Sequence, residues 1–311
     1  MRIIKKTNID FMSKTKISGI ISLIILLSGF SSLVINKGPK LSIDFKGGVM
    51  VALDYKEPIN IEKLRSSLKN ITIAGQSFDL TNAEIKYFGK GLVQDKSNIS
   101  IRLSDLNDKP DKFLDDFVYK LTKISPENTP NDKFILSLEE VGPKIGAELS
   151  SDAFMAIFSA LALILIYISA RFEFKYAIGA ITALAHDILI TLGIFSILEY
   201  EISLAVIAAF LTIVGYSLND TIVIFDRIRE NVKILKNVPL QLVVNKSINE
   251  SLSRTIITSL TTFFVVLILF LVGGQVIHTF AFAMIVGVLI GTYSSIFIAS
   301  PILIKMNSNN K

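Results

Sequence analysis

The stretch "GYSLNDTIVIFDRIREN", residues 215–231, sets an Asn and an Asp near the end of an apolar run and follows them with a cluster of charges. If the run 202–225 crosses a bilayer as a helix, Asp220 lies inside the membrane, where an ionised carboxylate costs about 3 kcal/mol. So costly a residue at that depth requires a compensating partner or a use.

Outward from it, the 311-residue chain is 51% hydrophobic with positive mean hydropathy, and only 19% of its residues are charged. The apolar residues gather in blocks. Six are long enough to cross about 30 Å of hydrocarbon, which takes roughly 20 residues of helix: 17–35, 153–170, 176–198, 202–225, 255–272 and 277–304. Buried helices of a soluble protein seldom run this long without an exposed polar stripe. The fold class expected is therefore a polytopic α-helical membrane protein with six transmembrane helices.

The formal net charge of +5 is not gathered into a nucleic-acid-binding patch with interleaved aromatics. Arg2, Lys5, Lys6, Lys14 and Lys16 precede the first span, Arg171 and Lys175 follow the second, Arg227, Arg229, Lys233, Lys236 and Lys246 follow the fourth, and Lys305 follows the sixth. The loops at 199–201 and 273–275 contain no Lys or Arg. By the positive-inside rule both termini, 1–16 and 305–311, are expected in the cytoplasm. The first span reads as an uncleaved anchor. With no Cys and only 2 His, disulfides are excluded and neither a metal site nor another cofactor is expected.

The segment 36–151 is polar and is expected to translocate as a folded domain on the far side of the membrane. "LSIDFKGGVMVALDY" (41–55) alternates as a strand with a Gly pair suggesting a bulge or turn. "NIEKLRSSLKNI" (60–71) reads as a helix capped by Asn60, with Ile61, Leu64 and Leu68 on one face. "NAEIKYFG" (82–89) and "SNISIRLSD" (97–105) read as strands. "KPDKFLDDFVYKLTKI" (109–124) reads as a helix with Phe113, Phe117 and Leu121 inward, and "KFILSLEEV" (133–141) as a last strand. The order β-α-β-β-α-β is that of the ferredoxin-like, split βαβ motif, which by itself assigns no function. The remaining spans form a transmembrane bundle over 152–304 with a cytoplasmic loop at 226–253. That loop carries an amphipathic stretch, "PLQLVVNKSINESLSRT" (239–255), with Val244, Ile248 and Leu252 four apart and Pro239 at its start. It reads either as a helix lying on the inner membrane surface or as a docking site for a cytoplasmic partner.

On a helical fourth span Ser217, Asp220 and Thr221 share one face, with Asn219 beside them. The fifth span brings Arg254 to its mouth and Thr255, Thr258, Ser259 and Thr262 as a stripe. Asp220 and Arg254 are expected to meet at similar depth. Two readings stay open: an ion pair that only pins two helices together, or an acid that gains and loses a proton while Arg254 swaps partners. "AHDIL" places His186 and Asp187 mid-span, with Asp187 a second relay candidate against a packing role and His186 the blander of the two; His278 reads as interfacial. Gly287, Gly291 and Ser295 recur every four residues, a small-residue pattern for close helix approach. No phosphate-binding GxxxxGK[ST] loop is present and no catalytic residue is visible, so an enzyme is not expected and any work is driven by an ion gradient or a partner.

"DFKGG" (44–48), "VGPKIGAEL" (141–149), "GYSLNDTIVIFDRIREN", "NKSINESLSRTIITSLTT" (245–262) and "GTYSSIFIASP" (291–301) together resemble the SecF subunits of the bacterial SecD/SecF protein-export family, in order and across nearly the whole chain. Many relatives carry Thr where Lys46 stands. The resemblance implies the resistance-nodulation-division superfamily, a bacterial inner-membrane location and half of a larger assembly completed by SecD. It implies that the proton-motive force is used to help draw unfolded preprotein out on the periplasmic side of the SecYEG channel, with the SecA motor an indirect partner. It also implies a ferredoxin-like periplasmic domain, and Asp220 with Arg254 as the proton-pathway pair. The competing readings are a stand-alone transporter half moving lipids or small molecules, and a passive assembly factor.

Overall fold

The computed structural model describes residues 7–55, 57–88, 95–103, 109–110, 112–124 and 134–308. Arg2, Lys5 and Lys6 lie outside them. The chain falls into two compact units: one of residues up to Lys40, Ala153–Phe270 and from Ile277 onward, the other of Leu41–Asp152 with Leu271–Val276. Among the described residues six helices are long and apolar enough to cross a membrane.

The first, α1 (Thr15–Ile35), inverts the rule of soluble helices. Its buried residues are Ser18, Ser22 and Gly29, whereas Ile17, Leu23, Leu27 and Phe30 are exposed. In lipid the apolar side chains face outward without penalty and the small residues let another helix approach.

In the second unit, a single helical turn α2 (Ile43–Lys46) precedes strand β1 (Gly48–Asp54). The strand expected over 41–55 is thus confined to its second half. Ser42 accepts a hydrogen bond from the Asp44 N–H at 3.2 Å and caps the turn, and Gly47 at φ 75° ends it in a conformation that disfavours a side chain. Then come α3 (Ile61–Ser67), β2 (Ile71–Ile73), β3 (Gln76–Phe78), β4 (Glu84–Phe88), β5 (Asp95–Leu103), α4 (Phe113–Ile124) and β6 (Ile135–Val141). Asn60 caps α3 as the sequence predicts, accepting from the Glu62 and Lys63 N–H groups at 2.8 and 3.3 Å. The main sheet is antiparallel in the order β4-β5-β1-β6, the ferredoxin-like arrangement. Phe113, Phe117 and Leu121 of α4 are fully buried with Leu64, Leu68, Val51, Ile99 and Ile101. Each such side chain contributes about 2 kcal/mol. The β2–β3 hairpin has no counterpart in the sequence reading. Its turn is Ala74–Gly75, both at positive φ (47° and 81°), the mirror-image turn that suits hairpin twist.

The bundle continues with α5 (Pro143–Arg171), α6 (Phe174–Ile197), α7 (Leu204–Ile234), α8 (Leu240–Val272), α9 (Gln275–Ser294), a π-helical turn at Ser295–Ala299 and α10 (Ser300–Ser308). The α1–α6 contact is backbone-close: a Cβ on Gly29 would stand 2.6 Å from the Gly193 Cα. One turn on, the Ser32 and Ser196 hydroxyls bond at 2.9 Å. The α7–α9 contact uses Gly287 over Ile213 and Gly291 over Ser217.

One element departs from expectation. The amphipathic stretch at 239–255 does not lie on the membrane surface as a separate helix but forms the first half of α8, 33 residues and about 50 Å long. No Gly or Pro interrupts 240–272, so nothing breaks the helix between its amphipathic and apolar parts. Val244, Ile248 and Leu252 join the bundle core with Phe11, Met12 and Ile228. Asn231 bonds Ser247 and Glu250 at 3.0 and 2.8 Å, and Asn245 and Asn249 hold the backbone of Ile9 and Phe11.

Candidate functional site: two carboxylates buried in the bundle

Asp187, at mid-length on α6, is 1% exposed. Its Oδ2 accepts the Ser217 hydroxyl of α7 at 2.6 Å and the Ser294 hydroxyl of α9 at 2.8 Å. Its Oδ1 lies 2.9 Å from His186 Nδ1. The other ring nitrogen of His186 is 3.0 Å from the Ser22 hydroxyl of α1. Ser22 in turn meets the Tyr293 hydroxyl of α9 at 2.9 Å, and Tyr293 donates to the Ser18 carbonyl at 2.6 Å. Four helices are thus tied to one imidazole–carboxylate pair. Each hydroxyl answers a polar atom that lipid cannot satisfy.

Asp220 is 2% exposed on α7. Its Oδ2 accepts the Ser259 hydroxyl of α8 at 3.4 Å, and Ser259 also bonds Thr292 of α9 at 2.7 Å. Thr258 is a further neighbour from α8. Around Asp187 the carboxylate oxygens are saturated by short hydrogen bonds; around Asp220 they are loosely held. Nearby, the buried Thr255 hydroxyl finds no partner among the described residues, nor does Tyr216.

The expected meeting of Asp220 with Arg254 does not occur in this structure. Arg254 is exposed, and among the described residues no ion pair joins it to Asp220. The reason is helical phase. Ser259 faces Asp220, and at about 100° per residue position 254 lies some 140° round the helix from it. The guanidinium acts on Asp220 only through space. Two of the residues expected to support Asp220 are placed elsewhere: Ser217 serves Asp187, and Asn219 points to the exposed side of α7. Thr221 is buried and returns its hydroxyl to the Ser217 carbonyl at 3.1 Å. Thr258 donates to the Thr255 carbonyl at 2.9 Å. His278 stacks on Phe270 with ring centroids 4.1 Å apart.

Ser22, Thr292, Tyr293 and Ser294 belong to the site without standing out in the sequence. The signal available was the polar run "TYSS" (292–295) interrupting the sixth apolar block, and Ser18 and Ser22 four apart in the first. The π-helical turn begins directly after Ser294, and the Ser300 hydroxyl reaches the Ser295 carbonyl at 2.9 Å. Such turns recur where a helix is locally adapted to a site.

A carboxylate, an imidazole and hydroxyls arranged in this way can hold and pass protons. The family described as protein export membrane protein SecD/SecF, C-terminal, matches residues 121–309. The chain belongs to the SecD/SecF protein-export family. A family member from Calditerrivibrio nitroreducens, the protein translocase subunit SecF, is 45% identical over 98% of this chain and 96% of its own length. The SecF subunit of Thermodesulfovibrio yellowstonii is 43% identical over 100% of this chain and 98% of its own. The crystal structure of SecDF, a translocon-associated membrane protein from Thermus thermophilus, superposes with a TM-score of 0.82 at 36% identity and covers 98% of this chain. This chain spans 39% of that SecDF chain. A second SecDF structure, in a super-membrane-facing form, gives 0.68 over 100% of the chain. The SecD/SecF fold and a multi-pass membrane protein of the protein-translocation apparatus follow from these matches together with the six spans.

Proposed function

We propose that this chain is the SecF-type half of a SecD/SecF assembly in the bacterial inner membrane. In this reading it uses the proton-motive force to assist preprotein translocation through SecYEG, drawing or releasing substrate on the periplasmic side. Both termini face the cytoplasm and the sheet unit faces the periplasm, as the Lys and Arg flanks predict. SecD supplies the rest of the assembly; SecA contributes indirectly from the cytoplasmic side. The chain itself makes and breaks no covalent bond.

The observation that carries the reading is Asp220, 2% exposed within a span and answered by a hydroxyl at 3.4 Å rather than by an ion pair. A buried carboxyl is ordinarily fully hydrogen-bonded, and Asp187 meets that rule through groups that can themselves relay a proton. One held loosely is available to load and release a proton, and moving that charge through the field is worth about 2.3 kcal/mol per 100 mV. Arg254 enters when α8 turns: rotation about its axis carries the guanidinium toward Asp220 and Ser259 away from it, which is a change of partner for the acid. Asp187 is the second acid of the path.

The test is export in membrane vesicles that hold the chain with its own SecD. Asp220→Asn removes the part of preprotein translocation that an uncoupler also removes. Gradient-stimulated export at the unsubstituted rate would falsify the reading.

A further inference from the structure

The hydrogens of the chain from Ser18 to Asp187 follow by elimination. The Ser18 carbonyl only accepts, so the single O–H of Tyr293 is committed there, at 2.6 Å. Tyr293 therefore accepts from Ser22, 2.9 Å away. With its own hydrogen given to Tyr293, Ser22 must accept from His186 Nε2 at 3.0 Å, and Nε2 carries a hydrogen. On the far side, Ser217 and Ser294 both donate to Asp187 Oδ2. One proton is left for the 2.9 Å gap between His186 Nδ1 and Asp187 Oδ1. Whichever atom holds it, the pair carries no net charge. That is why an imidazole 6% exposed and a carboxyl 1% exposed are tolerated together in a span.

We propose that Asp187, His186, Ser22 and Tyr293 form a proton wire that connects the buried Asp187 to the α1 side of the bundle, separate from the Asp220–Ser259–Thr292 cluster. This rests on the reading above that Asp187 lies in the proton path. The step balances as follows. A proton from water arrives at Asp187, and the proton at Oδ1 moves to Nδ1 of His186. The Nε2 proton passes to Ser22, the Ser22 proton to Tyr293, and the Tyr293 proton leaves to water beside Ser18. One proton enters and one leaves. The imidazole ends with its hydrogen on Nδ1 instead of Nε2, and the wire resets when the ring turns over, exchanging the two nitrogens, and the hydroxyls rotate back, a reorientation that returns no proton. The titratable groups around the dyad are Tyr293 of α9, whose ring stacks on His186 at 6.1 Å, and Asp220, one turn beyond Ser217 on α7; α1 contributes only the hydroxyls of Ser18 and Ser22.

The experiment uses the full chain with its SecD in proteoliposomes under an imposed pH gradient, reading proton flux for Ser22→Ala, Ser22→Thr, Tyr293→Phe and Asp220→Asn. Ser22→Ala and Tyr293→Phe each lower the flux by about tenfold or more, the scale of a lost proton-transfer group. Ser22→Thr keeps a hydroxyl and restores most of it. Equal loss in Ser22→Thr and Ser22→Ala overturns the wire in favour of packing. If both wire variants keep full flux while Asp220→Asn abolishes it, the wire falls and the proposed function stands. If Asp220→Asn also keeps full flux, the proposed function itself falls. A second readout does not depend on flux. With only 2 His in the chain, nitrogen NMR of a His278→Asn background reports His186 alone. A hydrogen on Nε2 is expected, its occupancy falling in Tyr293→Phe, where Ser22 is freed to donate to the ring. A bare Nε2 in the unsubstituted residue overturns the wire.

Discussion

Ser217 donates its hydroxyl to Asp187 at 2.6 Å, although on α7 it stands one turn from Asp220 and on the same buried face. One helix thus serves two carboxylates in opposite ways, supplying a donor to the first and carrying the second. A small turn or slide of α7 alters both environments at once. The close packing around it gives such movement discrete positions, since a Cβ on Gly291 of α9 would stand 3.0 Å from the Ser217 Cβ.

The stability of the bundle is expected to depend more on Asp187 than on Asp220. Asp187→Leu leaves the Ser217 and Ser294 hydroxyls and His186 without their acceptor and is expected to destabilise by about 3–5 kcal/mol. Asp187→Asn keeps one acceptor oxygen and costs about 1–3 kcal/mol. Asp220→Asn, at a carboxyl held loosely by the hydroxyls of α8, is close to neutral. Thermal unfolding in detergent ranks the three.

The α1–α6 contact is a second test. Gly193→Val places a branched side chain where a Cβ alone would already meet the Gly29 Cα at 2.8 Å, so α1 has to move away. The loss is expected to be about 2 kcal/mol or more. Gly19→Val is the control, because a Cβ there meets nothing within 4 Å. Protease access to α1 distinguishes them.

The turn at Phe45–Gly47 packs on the first turn of α5 through Gly146, where a Cβ would stand 2.9 Å from the Phe45 carbonyl oxygen. Gly146→Ala is therefore expected to displace that turn and to lower the stability of the sheet unit by about 1–3 kcal/mol. Gly142→Ala, with open space at its Cβ, is not. Hydrogen exchange of β1 and β6 reads the difference.

Stability of the sheet unit is also expected to depend on pH through Glu139. Burial, and then the nearby Asp44 carboxylate, push its carboxyl above the usual glutamate range. A carboxyl whose folded value is raised binds its proton more tightly in the folded state. Its contribution is fully present below the unfolded value and is lost as pH rises through the folded one. Glu139→Gln removes that loss. Stability followed from the acid side to neutrality is expected to fall less steeply in the variant than in the unsubstituted chain.

Much of this architecture is legible without coordinates, because the bilayer and the sheet core impose simple periods. The spans show as apolar length, and α4 shows as Phe113, Phe117 and Leu121 at helical spacing. What escapes is of two kinds. Local turns escape when their chemistry is subtle: Ala74–Gly75 closes a hairpin of three-residue strands, and Ser42 diverts the expected first strand into a helical turn. Partnerships escape because spacing gives the face of a helix and not what stands opposite. Ser217 and Asp220 share a face, yet only coordinates divide them between two clusters. Likewise Val244, Ile248 and Leu252 keep the same period whether their helix lies on a membrane or stands in a bundle.

The most direct measurement is proton entry into liposomes that contain the chain with its SecD, followed by a pH-sensitive dye while preprotein is being moved. Proton uptake that accompanies translocation and disappears in Asp220→Asn, with Asp187 and the fold intact, is the result expected. Uptake and translocation that persist together in that variant would show that the buried acid of α7 lies off the proton path and would contradict the account.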